Sequence, residues 1–261
     1  MMMATSWLVR SPCAAPRLRL FCFSYAGGSA GAYAQWQQQL GPHVEVCAVQ
    51  LPGRGARMGE TPLTSLAQVA SAVADVIARQ GPLPYACFGH SLGALLAFEV
   101  ARCSHRLRLP LPLHLFVSGS DAPAARSGLR QLHLLPDAQL IDALRQYNGT
   151  PAELLEHREL MALVLPAIRA DFGLVETYAY QPWLRLPVPL TVLAGRDDEH
   201  VAGARLAEWD RETARDSRIA WFDGGHFFVN EQRAAVLECV ASTLRQLPVF
   251  TLERGTERMA S

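Results

Sequence analysis

The chain has 261 residues, half of them hydrophobic, and its 24 basic and 24 acidic side chains cancel. This length suffices for one α/β domain with a large core, and we predict a single domain over residues 1–261. The balanced charge, without a run of basic residues, argues against nucleic acid or a membrane surface as a partner. No segment approaches the roughly 20 apolar residues of a membrane span, and the N-terminus lacks the uninterrupted apolar run of a secretion signal.

The six cysteines are scattered along the chain and include no Cys-x-x-Cys pair. Cys22, Cys47 and Cys87 fall within predicted buried strands, where cysteine behaves as a small apolar residue. Free thiols of this kind are typical of a reducing compartment, so we expect a cytoplasmic protein.

The first half of the chain alternates strands with helices. Apolar runs predict strands over residues 18–25, 45–50, 85–88 and 113–117. A helix is expected to follow the first strand as far as Leu40, and Ser65 with Gln68 forms a capping box that begins the next helix. A third helix begins directly behind Ser91 and ends near Ser104. Near-continuous apolar strands separated by helices indicate a parallel sheet that is covered on both faces.

Residues 122–182 interrupt this alternation, because they contain no clear strand. Three helices are predicted there: one from Pro136-Asp137, one over about 152–165 and one over about 168–178. An insertion of this kind between two sheet strands is typical of a helical lid that lines an apolar cavity. The alternative is a set of ordinary packing helices.

The sheet resumes in the last third of the chain, with strands predicted over residues 188–194 and 218–222 and a helix over 204–213 between them. Asn230 is expected to cap a closing helix that ends near Leu244. The polar tail over residues 249–261 is expected to be loose.

A sharp turn joins the third predicted strand to its helix, with the sequence Gly89-His90-Ser91-Leu92-Gly93. The two glycines leave room for a strand-to-helix bend at which a serine is held in a strained conformation, with its hydroxyl above the sheet. We therefore predict that Ser91 is a nucleophile. The five-residue pattern alone is weak evidence for a nucleophile. The predicted strand before it and the predicted helix after it strengthen the prediction.

Two further loops carry the partners that a serine nucleophile requires. A serine hydroxyl needs a base within hydrogen-bond reach, and that base needs an orienting carboxylate. Asp197-Asp198 follows the fifth predicted strand and His226 follows the sixth. The C-terminal ends of parallel strands share one edge of the sheet, so these loops are expected to meet there. The chain order Ser, Asp, His is the one expected of α/β-hydrolases, which is the fold we predict.

The acid and the base each have an alternative assignment in the sequence. Asp198 is preferred as the carboxylate, and Asp197 remains the alternative, with stabilisation of the turn as the other role for an aspartate there. His90 is adjacent to Ser91, but its side chain should diverge from that of the serine at the bend, so it is assigned no proton transfer. The remaining histidines are expected to be surface or packing residues; they are His43, His105, His114, His133, His157 and His200.

A tetrahedral intermediate needs two preorganised backbone donors. One is expected to be the N–H of Leu92 at the start of the helix, where the helix dipole also helps. The other is expected in the loop after the first strand, at Ala26. Gly27 and Gly28 would let this loop approach the substrate closely, although a simple glycine turn would look the same in the sequence.

Several motifs together resemble a known family, the type II thioesterases, which are stand-alone editing enzymes of polyketide and nonribosomal peptide assembly lines. The motifs run in the family's order from about residue 18 to residue 247. They are Phe23-Ser24-Tyr25-Ala26-Gly27-Gly28-Ser29-Ala30, Leu51-Pro52-Gly53-Arg54, Gly89-His90-Ser91-Leu92-Gly93, Gly195-x-x-Asp198 and Gly224-Gly225-His226-Phe227.

The resemblance implies an α/β-hydrolase fold with a mobile helical lid. It also implies hydrolysis of acyl thioesters on the phosphopantetheine arm of acyl or peptidyl carrier domains, which clears stalled or misprimed units. By that resemblance Ser91, Asp198 and His226 form the triad, and Ala26 and Leu92 form the oxyanion hole. The family commonly has methionine where this chain has Leu92, and proline where it has Glu199. Arg54 and Arg57 lie in a family motif, and the sequence supplies no physical role for either arginine.

No cluster of residues has the spacing of a metal site, so we expect neither a metal nor a redox cofactor. The partners are expected to be carrier domains, and the protein itself is expected to be a monomer. The same triad would also serve a thioesterase that releases fatty acids or a carboxylic-ester hydrolase. A docking module without catalytic activity is a further alternative, against which the intact triad argues.

Overall fold

A computed structural model describes residues 5–126, 130–147 and 149–251. Within these ranges seven strands form one sheet in the order β1-β3-β2-β4-β5-β6-β7. Strand β1 pairs antiparallel with β3, and every other pairing is parallel. The strands are β1 (Leu8–Arg10), β2 (Leu18–Phe23), β3 (Val44–Val49), β4 (Tyr85–His90), β5 (Leu115–Ser118), β6 (Leu190–Gly195) and β7 (Ser217–Phe222). The predicted α/β architecture with a mostly parallel sheet is confirmed.

Among the strands that the structure describes, the edge strand β1 is the one that the sequence did not predict. It has three residues, of which only Leu8 is buried. So short a segment shows neither an apolar run nor a clear alternation, and these are the patterns from which strands are predicted.

Helices cover both faces of the sheet, as predicted. On one face α2 (Leu66–Ala78) and α3 (Leu92–Arg106) pack over the strands, and on the other face α1 (Trp36–Leu40) and α9 (Arg233–Arg245) do so. All residues of β2 to β6 are buried, because neither face of these strands reaches solvent. The helices are α1 (Trp36–Leu40), α2 (Leu66–Ala78), α3 (Leu92–Arg106), α4 (Asp137–Tyr147), α5 (Ala152–Glu156), α6 (Arg158–Glu176), α7 (Gly203–Ala207), α8 (Phe228–Glu231) and α9 (Arg233–Arg245).

Some helix boundaries differ from the prediction. The segment before Leu40 contains a 3₁₀ turn (Ala30–Tyr33) and then the short α1, instead of one helix. The region predicted as a helix over residues 204–213 is α7 followed by a 3₁₀ turn (Glu208–Glu212). Asn230 lies inside α8 and does not cap α9, which begins after Gln232 without a side-chain cap. Short 3₁₀ turns share the apolar spacing of a helix, so the sequence pattern does not separate them.

The helical insertion (residues 122–182) contains α4, α5 and α6 between β5 and β6. The break that the sequence placed near Pro166 is wrong, because α6 continues through this proline. The break lies instead at His157, whose ring nitrogen accepts a hydrogen bond from the N–H of Leu160 at 3.3 Å and so caps α6. The apolar faces of the insertion form a cluster of their own, made of Leu132, Leu140, Ala143, Leu144, Leu155, Met161, Leu165, Ile168 and Phe172.

The C-terminal segment continues past α9 with a helical turn over residues 248–251. Phe250 packs against the core and lies under the guanidinium of Arg17, 5.2 Å from it. Residues 252–261, the rest of the tail that the sequence predicts to be loose, lie outside the described residues. Across the described ranges, no helix has the length and apolar character that crossing a membrane requires.

Candidate active site

Ser91 lies at the turn between β4 and α3, in a backbone conformation that few residues other than glycine adopt. Its φ and ψ are 57° and −116°, and such strain is characteristic of a nucleophile held at a strand-to-helix bend. The flanking positions 89 and 93 require glycine because a side chain would not fit there. A Cβ atom at Gly89 would overlap the carbonyl group of Gly93, and one at Gly93 would overlap the carbonyl group of Phe23.

Ser91, His226 and Asp198 come together in one hydrogen-bonded row. The Nε2 of His226 lies 3.1 Å from the Oγ of Ser91, and its Nδ1 lies 2.8 Å from Oδ2 of Asp198. The three residues follow β4, β7 and β6 respectively, so their loops share the carboxyl edge of the sheet. The side chains of His226 and Asp198 are almost fully buried. This arrangement lets the imidazole accept the serine proton while the carboxylate holds the tautomer.

The two neighbouring aspartates have different environments. Asp198 is buried, and its second oxygen, Oδ1, accepts a hydrogen bond from the N–H of His200 at 2.9 Å. Asp197 is exposed, and its N–H donates to the carbonyl oxygen of Gly224 at 3.0 Å. Asp198 is therefore the carboxylate that is hydrogen-bonded to His226, whereas Asp197 lies in the turn.

The loop after β2 forms a tight turn beside Ser91. The N–H of Gly28 donates to the carbonyl oxygen of Tyr25 at 2.9 Å, and Gly27 has a φ of 77°, as the third residue of a type II turn requires. Ala26 and Leu92 border the same cavity as Ser91. Within the described part of the chain, the N–H groups of Ala26 and Leu92 have no hydrogen-bond partner. Two free donors beside a serine hydroxyl are what an oxyanion hole requires.

His90 is fully buried beneath the site. Its Nδ1 lies 2.9 Å from the Oγ of Ser118, and its ring centroid is 5.2 Å from that of His226. Burial holds the pKa of His90 well below its usual value, and the neighbouring His226 adds to this effect. A neutral His90 therefore fills space next to His226 without placing a positive charge there. Among the described residues its hydrogen bond is to Ser118, whereas the hydroxyl of Ser91 pairs with His226.

His200 belongs to the site, although the sequence suggested a surface or packing role for it. Its ring stacks on Tyr147 with 4.1 Å between centroids and lies edge-on to His226 at 5.1 Å. Burial lowers the pKa of His200, and the proximity of His226 lowers it further. The sequence did contain a signal for this role, because His200 comes two residues after Asp198. A residue so close to the triad carboxylate must lie near the site. The other five histidines do not line the cavity.

A cavity of about 380 Å³ opens in front of Ser91. The insertion contributes Tyr147, Phe172 and Val175 to its wall, so the expected apolar contribution is present. The prediction of an apolar cavity is nevertheless wrong in part, because charged residues also line it. These are Asp121, Arg126, Arg130, Glu176, Glu199 and Arg205.

Arg126 is the charged residue of this wall with an unused donor. Its Nε is buried and has no hydrogen-bond partner among the residues that the structure describes. Burial lowers the pKa of its guanidinium, while the carboxylate of Asp121 acts in the opposite direction. Burying a polar group without a partner is costly, so this donor is an unfavourable feature of the cavity wall. Across the described ranges, no group of three or more His, Cys, Asp or Glu residues could hold a metal ion.

Comparison with known proteins identifies relatives over most of the chain. Residues 18–244 match a family model described as "Thioesterase domain". The gramicidin S biosynthesis protein GrsT of Aneurinibacillus migulanus is 40% identical over 231 residues, which cover 88% of this chain and 90% of GrsT. The thioesterase PikA5 of Streptomyces venezuelae is 37% identical over 230 residues, which cover 87% of this chain and 81% of PikA5.

The fold is also found in solved structures. The type II thioesterase BorB from the borrelidin biosynthetic cluster superposes with a TM-score of 0.84 at 37% identity, covering 94% of this chain and all of BorB. Together with the seven-stranded sheet, this similarity confirms the predicted α/β-hydrolase fold.

Proposed function

Because this chain belongs to the thioesterase domain family, we propose that it hydrolyses acyl thioesters on the phosphopantetheine arm of acyl or peptidyl carrier domains. In this role it removes stalled or misprimed units during polyketide or nonribosomal peptide synthesis. The observation that carries the proposal is the row Ser91–His226–Asp198, with distances of 3.1 and 2.8 Å, at the mouth of a cavity. The relatives named above, which serve gramicidin S and borrelidin biosynthesis, support the choice of substrate.

The chemistry follows from this geometry. His226 takes the proton of Ser91 as the serine oxygen bonds to the thioester carbonyl carbon, and the negative oxygen is held by the N–H groups of Ala26 and Leu92. When the carbon–sulfur bond breaks, the proton on His226 passes to the departing pantetheine sulfur. A water molecule then loses a proton to His226 and attacks the acyl-serine. Return of that proton to the Ser91 oxygen releases the free acid and the original enzyme.

The remaining features of the proposal concern the setting of this reaction. It needs no metal or redox cofactor, since the thiolate is a good leaving group and the triad supplies the base. The helical insertion acts as the lid of the acyl cavity within a single domain. All six cysteines are free, which supports a reducing, cytoplasmic location. The protein acts as a monomer on its carrier domain.

The test is a comparison of kcat/KM for the same acyl group on a carrier domain, on coenzyme A and on a simple oxygen ester. We expect the carrier-bound thioester to be preferred. Ser91→Ala should lower its turnover by on the order of 10³-fold or more. Preference for the oxygen ester, or equal turnover by the Ser91→Ala protein, would contradict the proposal.

A further inference from the structure

Arg54 lies in the motif for which the sequence offered no physical role. Its guanidinium is buried and forms a two-pronged contact with Asp171 of α6, with distances of 2.5 Å to Oδ2 and 2.7 Å to Oδ1. A planar guanidinium matches a carboxylate in this way, and lysine does not. Asp171 itself is 1% exposed. The pair therefore joins the loop after β3 to the helical insertion in the interior of the protein.

The same two side chains hold the loop that carries Ala26. Asp171 Oδ2 also accepts a hydrogen bond from the N–H of Gly27 at 2.8 Å. The Nη1 of Arg54 also donates to the carbonyl oxygen of Gly28 at 3.1 Å. Burial raises the pKa of the Asp171 carboxyl, and its bonds to Arg54 and Gly27 act against that rise. One buried ion pair therefore holds both the N–H of Gly27 and the carbonyl oxygen of Gly28.

Helix α6 also packs directly on both loops. A Cβ atom at Gly27 would lie 3.1 Å from Cγ1 of Ile168, and one at Gly53 would lie 3.3 Å from Cβ of Ala167. A side chain at either glycine would therefore crowd α6. The ion pair and this close packing together hold the Ala26 turn against the insertion.

Arg57, the second arginine of the segment, has other partners. Its guanidinium donates to the carbonyl oxygen of Gln50 at 3.0 Å, pairs with Glu60 and lies 4.0 Å from the centre of the Trp7 ring. None of these contacts reaches the turn that carries Ala26. Only Arg54 of the two therefore connects this motif to the site.

The direction of the Ala26 N–H depends on the turn that the ion pair holds. In a trans peptide the N–H points away from the carbonyl oxygen of the same peptide. The carbonyl oxygen of Tyr25 accepts from the N–H of Gly28, so the position of Gly28 sets the direction of the Ala26 N–H. An oxyanion donor is effective only if it is already aimed before the reaction.

We propose that Arg54 and Asp171 are positioning residues, which aim the N–H of Ala26 at the oxyanion by holding Gly27 and Gly28 against helix α6. The proposal rests on the acyl transfer to Ser91 described under the proposed function. Neither side chain touches the reacting atoms. They act through the turn that carries Ala26. Because Asp171 belongs to α6, the geometry of the oxyanion hole also depends on the position of the insertion.

The test compares three proteins with the wild type. Asp171→Asn leaves Arg54 buried without its partner charge, and this change alone is expected to lower the melting temperature. The double variant Arg54→Met with Asp171→Leu leaves no buried charge, so its melting temperature should recover. Glu45→Gln is the matched control, because Glu45 is a buried carboxylate paired with Arg19. It lies at the amino end of β3, whereas the site lies at the carboxyl ends of the strands. Its activity should equal that of the wild type.

The readouts are the kcat and KM for Ser91 acylation by p-nitrophenyl acetate and the Kd of an alkylboronic acid, which forms a tetrahedral anion on Ser91. Both positioning variants should lose about 10- to 100-fold in kcat, because a misplacement of about 1 Å in a site costs up to about 10²-fold. The Kd of the boronic acid should rise by a similar factor, while KM changes little. Wild-type kcat in the double variant would overturn the proposal. Carrier-bound substrates are absent from this experiment, so its outcome is independent of the test of the proposed function.

Discussion

Asp198 and Asp197 show how much a single residue position decides at this site. The sequence places both carboxylates in the same turn after β6, and residue type alone does not say which one faces the histidine. In the structure Asp198 is buried, with both oxygens engaged by His226 and His200, whereas Asp197 faces solvent. Burial and hydrogen bonding depend on the path of the turn, which spacing in the sequence does not give.

This difference predicts unequal effects of two conservative substitutions. Asp198→Asn should lower kcat by on the order of 10⁴-fold, because an amide at this position favours the wrong tautomer of His226. Asp197→Asn is the matched control, and its kcat should stay within about twofold of the wild type, since surface changes are usually near neutral. Steady-state kinetics on one acyl thioester would measure both. A larger loss in Asp197→Asn would contradict the assignment.

Helix α6 shows what could be predicted at the scale of an element. The sequence predicted helices throughout the insertion from their apolar spacing, and α4 begins at Asp137 as expected. It divided α6 between residues 165 and 168, although the helix continues through Pro166, a residue type that usually ends or kinks a helix. The helix continues since tertiary contacts hold it, among them the buried bond of Asp171 to Arg54. A contact between residues 117 positions apart leaves no local pattern in the sequence.

The separate apolar cluster of the insertion predicts that it unfolds more easily than the sheet. Leu140→Ala removes a fully buried side chain from this cluster and should cost about 2–5 kcal/mol of local stability. Limited proteolysis followed by mass spectrometry should then find the first cuts within residues 122–182.

Leu163→Ala serves as its control, because Leu163 is a leucine of the same insertion that is 61% exposed. Its digestion pattern should match that of the wild type. First cuts of the Leu140→Ala protein in the sheet region would contradict an insertion with its own core.

The whole molecule was the most predictable level. Apolar strands alternating with helices define a parallel sheet, and the sheet in turn brings the loops after β4, β6 and β7 to one edge. That is why Ser91, Asp198 and His226, far apart in sequence, could be grouped before any coordinates were known. The parts that escaped prediction, such as the contact of His200 with Tyr147, depend on side-chain packing between the sheet and the insertion.

A buried histidine predicts how the stability of the whole molecule depends on pH. Burial lowers the pKa of His114 from its usual value of 6.5 to about 4, and Arg218 adds to the effect. Above pH 6.5 the ring is neutral in both states, and its full contribution to stability is present. As the pH falls from 6.5 towards 4, the unfolded chain binds a proton that the folded protein does not, so stability is lost.

The size of this effect is measurable by urea denaturation. Between pH 7 and pH 5 the protonation of His114 should remove about 2 kcal/mol of unfolding free energy. His114→Gln should therefore lose less stability over this range than the wild type. His43→Gln, at an exposed histidine, is the control and should keep the wild-type dependence. Equal pH dependence in the His114→Gln protein would contradict the buried neutral ring.

The most direct test of the account is to find the acyl group on the enzyme. The protein is mixed with an acyl-loaded carrier domain, quenched in acid on the millisecond scale, digested and analysed by mass spectrometry. Nucleophilic attack by Ser91 predicts that the peptide containing this residue gains the mass of one acyl group, and that Ser91→Ala shows neither the adduct nor turnover. An adduct on another residue, or hydrolysis by the Ser91→Ala protein at the wild-type rate, would contradict it.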